Sequence, residues 1–239
     1  MSATLQVIGS SSAANGYILS VGDEKLIIEA GCKPKEYLAA LNYDLSRVAA
    51  VLVSHAHGDH ARSINALQGY GLKALAPQSV CNIYPKCKCV EHLCKYMVGN
   101  FWILPLKVPH GDCECFAYHI NLPDGQTLLF ATDLEELPWT VKGINHLMIE
   151  VNNCKETVLN NLCNGADIHS RPDNHLSLEK ALEATRRLYS AKLRKVLLLH
   201  LSDGNSDENL IKRRFKEELG IDVLIAESGL TVNLNEDDF

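Results

Sequence analysis

No run of about 18 or more apolar residues occurs in this 239-residue chain, which excludes a transmembrane helix. The opening residues, Met1 to Val7, lack a basic region and an apolar leader, so no signal peptide is expected. There is no repeat, no low-complexity tract and no Pro/Gly/Ser-rich linker, and residues 1–239 read as a single domain. An excess of basic charge is missing too. With 23 Lys and Arg against 29 Asp and Glu, the net charge is −6. That weighs against a protein whose main affinity comes from coating a nucleic-acid backbone. The local basic clusters Arg186/Arg187, Arg194/Lys195 and Lys212/Arg213/Arg214 read as solvated helix faces. Nine cysteines are an odd number in a chain too large to need disulfide staples, and they point to free thiols in a reducing cytoplasm.

What is present begins with short apolar runs bounded by Gly, Ser, Asp or Asn, which read as strands at Leu5 to Ile8, Gly16 to Val21 and Leu26 to Glu29. A helix is expected over Lys35 to Leu41, a buried strand over Arg47 to Ser54, a helix over His60 to Tyr70 and a short strand over Lys73 to Ala76. Residues 81 to 99 show no clean period and read as an insertion with short helical pieces. Strands resume at Phe101 to Val108, Cys115 to Asn121, Thr127 to Ala131 and His146 to Val151. The second half alternates helices (Lys155 to Cys163, Leu178 to Ala191 behind a Ser177 N-cap, Asp207 to Leu219) with strands (Lys195 to His200, Val223 to Ala226, Leu230 to Leu234). This order predicts an α/β protein with a four-layer αββα sandwich.

The densest chemistry is Ser54-His-Ala-His-Gly-Asp-His60, directly after the apolar run Val48 to Val53. Three imidazoles and a carboxylate at a strand end are poor core material and good metal ligands, because divalent zinc takes His nitrogen and carboxylate oxygen. His55 and His57 can turn toward one metal, and Asp59 and His60 can reach a second. Each metal needs distant ligands as well. His110 suits the first site, His200 suits the second, and the Asp133 carboxylate can bridge both. Each follows an apolar strand, where a rigid scaffold places a side chain and leaves it accessible. The Cys87, Cys89, His92 and Cys94 cluster matches no zinc spacing and reads as free thiols. Cys113 and Cys115 are taken the same way. His92, His119, His146 and His169 have no visible partner and read as surface or hydrogen-bonded residues. Trp102, Trp139 and Tyr96 read as core rather than as stacking surfaces.

These residues resemble the metallo-β-lactamase superfamily, and the likeness covers nearly the whole chain. It implies the αββα fold with a two-zinc site (manganese being the alternative) in which His55, His57 and His110 hold the first metal, Asp59, His60 and His200 the second, and Asp133 the bridge. The ligand set has no cysteine, unlike zinc β-lactamases, and Ala61-Arg62-Ser63 stands where lactamase-like members often have Gly-Gly. The start Gly9-Ser10-Ser11-Ser12 with Asn15-Gly16 is similar to small bacterial and phage members of the RNase Z-like branch, with Ala14 in place of a glycine. Glu150, ending Leu147-Met148-Ile149, and His175, in Asn-His-Leu-Ser, fit the same branch. The resemblance implies that Glu150 orients His175, that His175 protonates the leaving oxygen, and that Asp59 orients the nucleophile.

The leading expectation is a zinc-dependent phosphodiesterase acting on a small nucleotide, similar to the anti-Pycsar proteins that degrade cyclic nucleotide signals. The acidic chain and the lack of a long tRNA-gripping insertion favour a small substrate. A DNA or RNA exonuclease of the same branch is the alternative, and a silent nucleotide-binding protein is a third, disfavoured by the complete ligand set. A homodimer without membrane contact is the family-level expectation.

Overall fold

In the computed structural model, β1 (Ala3–Ser11) and β2 (Ala14–Val21) form a hairpin whose register shifts between Val7 and Gly9. The structure describes residues 1–163, 174–202 and 204–235. The chain continues through β3 (Glu24–Ile28), α1 (Pro34–Ala40), β4 (Val48–Leu52), α2 (Gly58–Ala61), α3 (Ile64–Gly69), β5 (Ala74–Ala76), α4 (Gln78–Ile83) and β6 (Lys88–Cys89). The central part holds β7 (Tyr96–Val98), β8 (Phe101–Val108), β9 (Cys115–Asn121), β10 (Thr127–Ala131) and β11 (His146–Glu150). Last come α5 (Lys155–Cys163), α6 (Leu178–Leu188), β12 (Lys195–Leu199), α7 (Glu208–Leu219), β13 (Leu224–Ile225) and β14 (Thr231–Asn233).

The strands form two seven-stranded sheets, β14-β1-β2-β3-β4-β5-β6 and β13-β12-β11-β10-β9-β8-β7. Between them lies a core built from Tyr17, Leu19, Leu26, Ile28, Leu52, Phe101, Ile103, Tyr118, Phe130, Met148 and Leu197. A second cluster joins the outer face of the first sheet to Tyr37 of α1, Ile64 and Leu67 of α3 and Val80 of α4. A third joins the outer face of the other sheet to α6 and α7 through Leu178, Ala181, Leu182, Leu188, Ile211 and Phe215. The result is the expected αββα sandwich.

Local sequence explains the helices that close it. In α6, buried Leu178, Ala181, Leu182, Thr185 and Leu188 recur at helical spacing, and the Ser177 side chain accepts the Lys180 N–H as N-cap. In α7, Asp207 caps Leu210 N at 3.0 Å, and Gly220 at φ +69° ends the helix in the left-handed conformation.

Four expectations need correction. Residues 81 to 99 are helical only to Ile83, where α4 ends, and are no insertion, because β6 and β7 inside them complete the edge of each sheet. The helix expected over His60 to Tyr70 is two short ones, broken where Ser63 bonds tertiary partners: its N–H donates to Ala30 O at 2.9 Å and its hydroxyl to Cys32 O at 2.6 Å. Lys195 is buried in β12 and is no part of a solvated face. Trp102 is 47% exposed, because alternation along β8 turns Phe101 and Ile103 inward and Trp102 outward. Arg186 and Arg214 do sit on solvated faces, both reaching Glu218. All nine cysteines are free, and among the described residues none joins a group able to hold a metal. Among these residues no helix is long and apolar enough to cross a membrane.

His146 is buried at the start of β11, with Nε2 at 2.8 Å from Gln126 Oε1. Burial, with Arg194 adding to it, pushes its pKa down to about 4. Above the ordinary value of about 6.5 neither the folded nor the unfolded chain is charged there, and the full stability is present. From there down to about 4, only the unfolded chain takes the proton. His146 alone should therefore lower stability by roughly 1.4 kcal/mol per pH unit, about 3 kcal/mol in all. Urea unfolding of the parent and of His146→Leu at pH 7 and pH 5 checks this. Parallel acid losses in the two proteins would remove His146 as a source.

Candidate metal centre

Neighbours β3 and β4 run parallel in the first sheet, as do β10, β11 and β12 in the second. Their carboxyl ends therefore face one edge of the sandwich, the place where open α/β sheets bind ligands. After β3 comes Glu29; after β4 come His55, His57, Asp59 and His60; after β10 comes Asp133; Glu150 ends β11; and His200 follows β12. His110 arrives from the loop after β8. Glu29, Asp133 and His200 all hold the left-handed conformation, at φ 66°, 48° and 55°. Such backbone costs of order 1 kcal/mol or more at a non-glycine residue and tends to collect at functional sites.

The α2 segment carrying Asp59 and His60 is seated by close backbone approach. Ala30 N donates to His60 O at 2.7 Å, and a Cβ on Gly31 would lie 1.5 Å from Asp59 O. Only glycine fits there.

Two groups of donors result. In the first, His57 Nδ1 lies 3.0 Å from His55 Nε2 and 3.3 Å from His110 Nε2. Asp133 Oδ2 lies 3.7 Å from His55 Nε2 and 3.8 Å from His110 Nε2. In the second, His60 Nε2 lies 3.1 Å from Asp59 Oδ2 and 3.4 Å from Asp133 Oδ2, and His200 Nε2 lies 3.7 Å from Asp59 Oδ2. Asp133 belongs to both groups, so the seven residues named from sequence come together as two sets sharing one carboxylate.

This donor set suits divalent cations. A tetrahedral ion with bonds of about 2.0–2.1 Å spaces its donors roughly 3.3 Å apart, close to the separations found. His200 Nε2 is buried without a hydrogen-bond partner among the described residues. Buried carboxylates demand compensating charge. Burial pushes Asp133 up, but His60, His200 and His55 outweigh it and hold it well below the carboxylate range. Burial pulls His200 down, yet Asp133, Asp59 and Glu150 carry it up to about 10. Burial also pulls His55 down, and there no carboxylate reverses it.

A third group adjoins the second. His175 Nδ1 lies 2.6 Å from Glu150 Oε1, and the same oxygen lies 3.3 Å from His200 Nδ1. Glu150 is fully buried, and its Oε2 accepts Leu134 N and Leu176 N at 2.9 and 3.3 Å. Burial lowers His175, but the bond and charge of Glu150 prevail and raise its pKa. The His175 ring stacks against His200 at 5.4 Å between centroids. Both rings line a cavity of about 580 Å³ together with Ser12, Asp112, Cys113 and Asn174, and no lysine or arginine among the described residues lines it.

Glu29 was not foreseen. Its buried carboxylate accepts Ser54 N at 3.1 Å and sits 3.3 Å from His60 Nδ1, fixing that ring from behind. Asn15, noted only as part of a loop, also reaches the site, with Nδ2 at 3.2 Å from Asp59 Oδ2. Partners behind a ligand commonly tune metal affinity. Glu29→Gln should weaken zinc binding at the second group by about 10–100-fold with the fold intact. Zinc titration with a competing chelator measures it, and an unchanged affinity would show that Glu29 only packs. Of the remaining histidines, His92 contacts Trp139 and Lys107 N, His146 bonds Gln126, and His169 lies outside the described residues.

Comparison with known proteins places this geometry. The family described as anti-Pycsar protein Apyc1 matches residues 3–95, less than half of the chain. Exodeoxyribonuclease WalJ of Streptococcus pneumoniae serotype 2 is 22% identical over 254 residues, covering 91% of this chain and 90% of that protein. Among solved structures, the metallo-β-lactamase fold protein YhfI from Bacillus subtilis superposes with a TM-score of 0.76 at 19% identity, covering 98% of this chain and 100% of that one. The short form of human tRNase Z gives a TM-score of 0.65 at 12% identity, with coverages of 97% and 99%. The chain has the metallo-β-lactamase fold, and that fold's strand ends carry a candidate His/Asp metal site.

Proposed function

We propose that this chain is a metal-dependent phosphodiesterase that hydrolyses small nucleotide phosphodiesters, cyclic mononucleotides foremost, with two zinc ions as cofactors and manganese as the alternative. The observation that carries this is the Glu150–His175 pair, 2.6 Å apart and lining the same cavity as the candidate ligands. Expulsion of a sugar alkoxide from phosphorus needs a proton donor at the leaving oxygen, and the pair is placed to supply it.

His55, His57, His110 and Asp133 would hold one ion, and Asp59, His60, His200 and Asp133 the other. Bound cations would supply neutralisation of the phosphoryl oxygens and a lowered pKa for the attacking water. Asp59, 20% exposed at its side chain, is placed to orient that water. His175, kept protonated by Glu150, delivers a proton to the departing oxygen.

The cavity bears on substrate size. Among the described residues no lysine or arginine lines it, so none of them is there to grip a run of phosphates. The match of residues 3–95 to the anti-Pycsar family supports the same choice. A nuclease is the second reading, favoured by the likeness to an exodeoxyribonuclease along 91% of the chain.

One assay separates them: metal-loaded protein is incubated with 3′,5′-cyclic nucleotides and with single- and double-stranded DNA and RNA, beside Asp133→Ala. Conversion of cyclic nucleotides to linear monophosphates is expected. Cleavage of nucleic acid alone would replace the first reading with the second, and no turnover of any phosphodiester would end both.

A further inference from the structure

The helical cover of the second sheet stops before its edge. Over β8 and β9 the outer face carries a recess of about 690 Å³, which shares no lining residue with the metal cavity. Leu104 and His119 are cross-strand partners on its floor. The chain has 2 tryptophans, and both line this recess. Trp139 is fixed, its Nε1 donating to Lys107 O at 2.6 Å and its ring meeting His92 at 4.8 Å. Trp102 and Leu93 are left 47% and 56% exposed. Lys95 and Lys142 line it with no ion pair among the described residues, and no carboxylate among those residues lines the recess. Burial lowers the pKa of His119, and the charge of Lys95 adds to it.

A volume of this size is that of a small-ligand site, where apolar walls meet a few polar groups. Indole faces stack on flat rings, and ammonium groups attract a compact anion. A neutral apolar guest would leave both lysines unused, and a simple anion would leave the tryptophans unused. We infer that this recess binds a nucleoside monophosphate, its base against Trp102 and Trp139 and its phosphate at Lys95 and Lys142. The site is separate from the metal centre and does not depend on the reaction proposed there.

Because both tryptophans line the recess, intrinsic fluorescence reports on it directly. Titration of the full chain with adenosine 5′-monophosphate should give saturable quenching, and adenosine and inorganic phosphate should each bind at least about tenfold more weakly. The Lys95→Ala/Lys142→Ala double variant should lose about tenfold or more in affinity while keeping its zinc content. Asp133→Ala should keep the quenching unchanged, which separates this site from the metal centre. Four results would each overturn the inference: no saturation up to about millimolar nucleotide, equal affinity for adenosine and its monophosphate, parent-like binding by the double variant, or loss of quenching in Asp133→Ala.

Discussion

Asp133→Asn should lower kcat/KM toward a phosphodiester by about three to four orders of magnitude, and should reduce the zinc retained per chain. Its Oδ2 lies within 3.8 Å of donors from both groups: His55, His60 and His110. The amide keeps the shape and removes the charge. Several kcal/mol of transition-state stabilisation depend on cations held in place, and each 1.4 kcal/mol is about a factor of ten. Zinc analysis beside steady-state kinetics checks both halves. Full zinc content together with parent-like kcat/KM would dissolve the idea of a shared carboxylate.

His175→Ala should leave zinc content alone and cost about 10²–10⁴ in kcat for substrates with a sugar alkoxide leaving group. For bis(p-nitrophenyl) phosphate, whose phenolate leaves without help, the loss should be about tenfold or less. Equal losses on both substrates would make His175 structural. A pH profile adds an independent readout. As the proposed acid, His175 should give a rate that is full below its pKa and falls as pH rises through it. Glu150 raises that pKa by its bond and charge. Glu150→Gln should therefore move the alkaline limb to lower pH, and a limb that stays in place would show that Glu150 does not set it.

The parts of this site that could be read from sequence are those with local spacing or strand-end placement. His55, His57, Asp59 and His60 are legible because they crowd one loop. His110, Asp133 and His200 are legible because each follows an apolar run. Glu29 has neither mark, since a glutamate after Leu26-Ile27-Ile28 looks like any polar strand end. Only the parallel register that sets Ile28 beside Leu52 brings it to Ser54 and His60. Strands β6 and β7 have two and three residues, too few to show a period of two. The break at Ser63 is written in tertiary hydrogen bonds, which helical periodicity cannot reveal. Trp102 looked like core because large aromatics usually are, but the cluster that buries Leu106 and Val108 on the outer face of β8 does not reach it, and it is 47% exposed.

The candidate ligands do not belong to one sheet. His55 to His60 ride on the first, and Asp133 and His200 on the second. Next to them, Tyr118 of the second sheet donates its hydroxyl to Val53 O of the first at 2.6 Å. Ions held there would be rivets between two plates. Each full donor set draws on both plates, so bound ions would favour the docked state and stabilise it with the logarithm of their concentration. Metal occupancy is then a gauge of how the plates are seated. A substitution deep between them, at Phe130 or Tyr17, that slides one plate by a fraction of an ångström would empty the site without touching any residue in it.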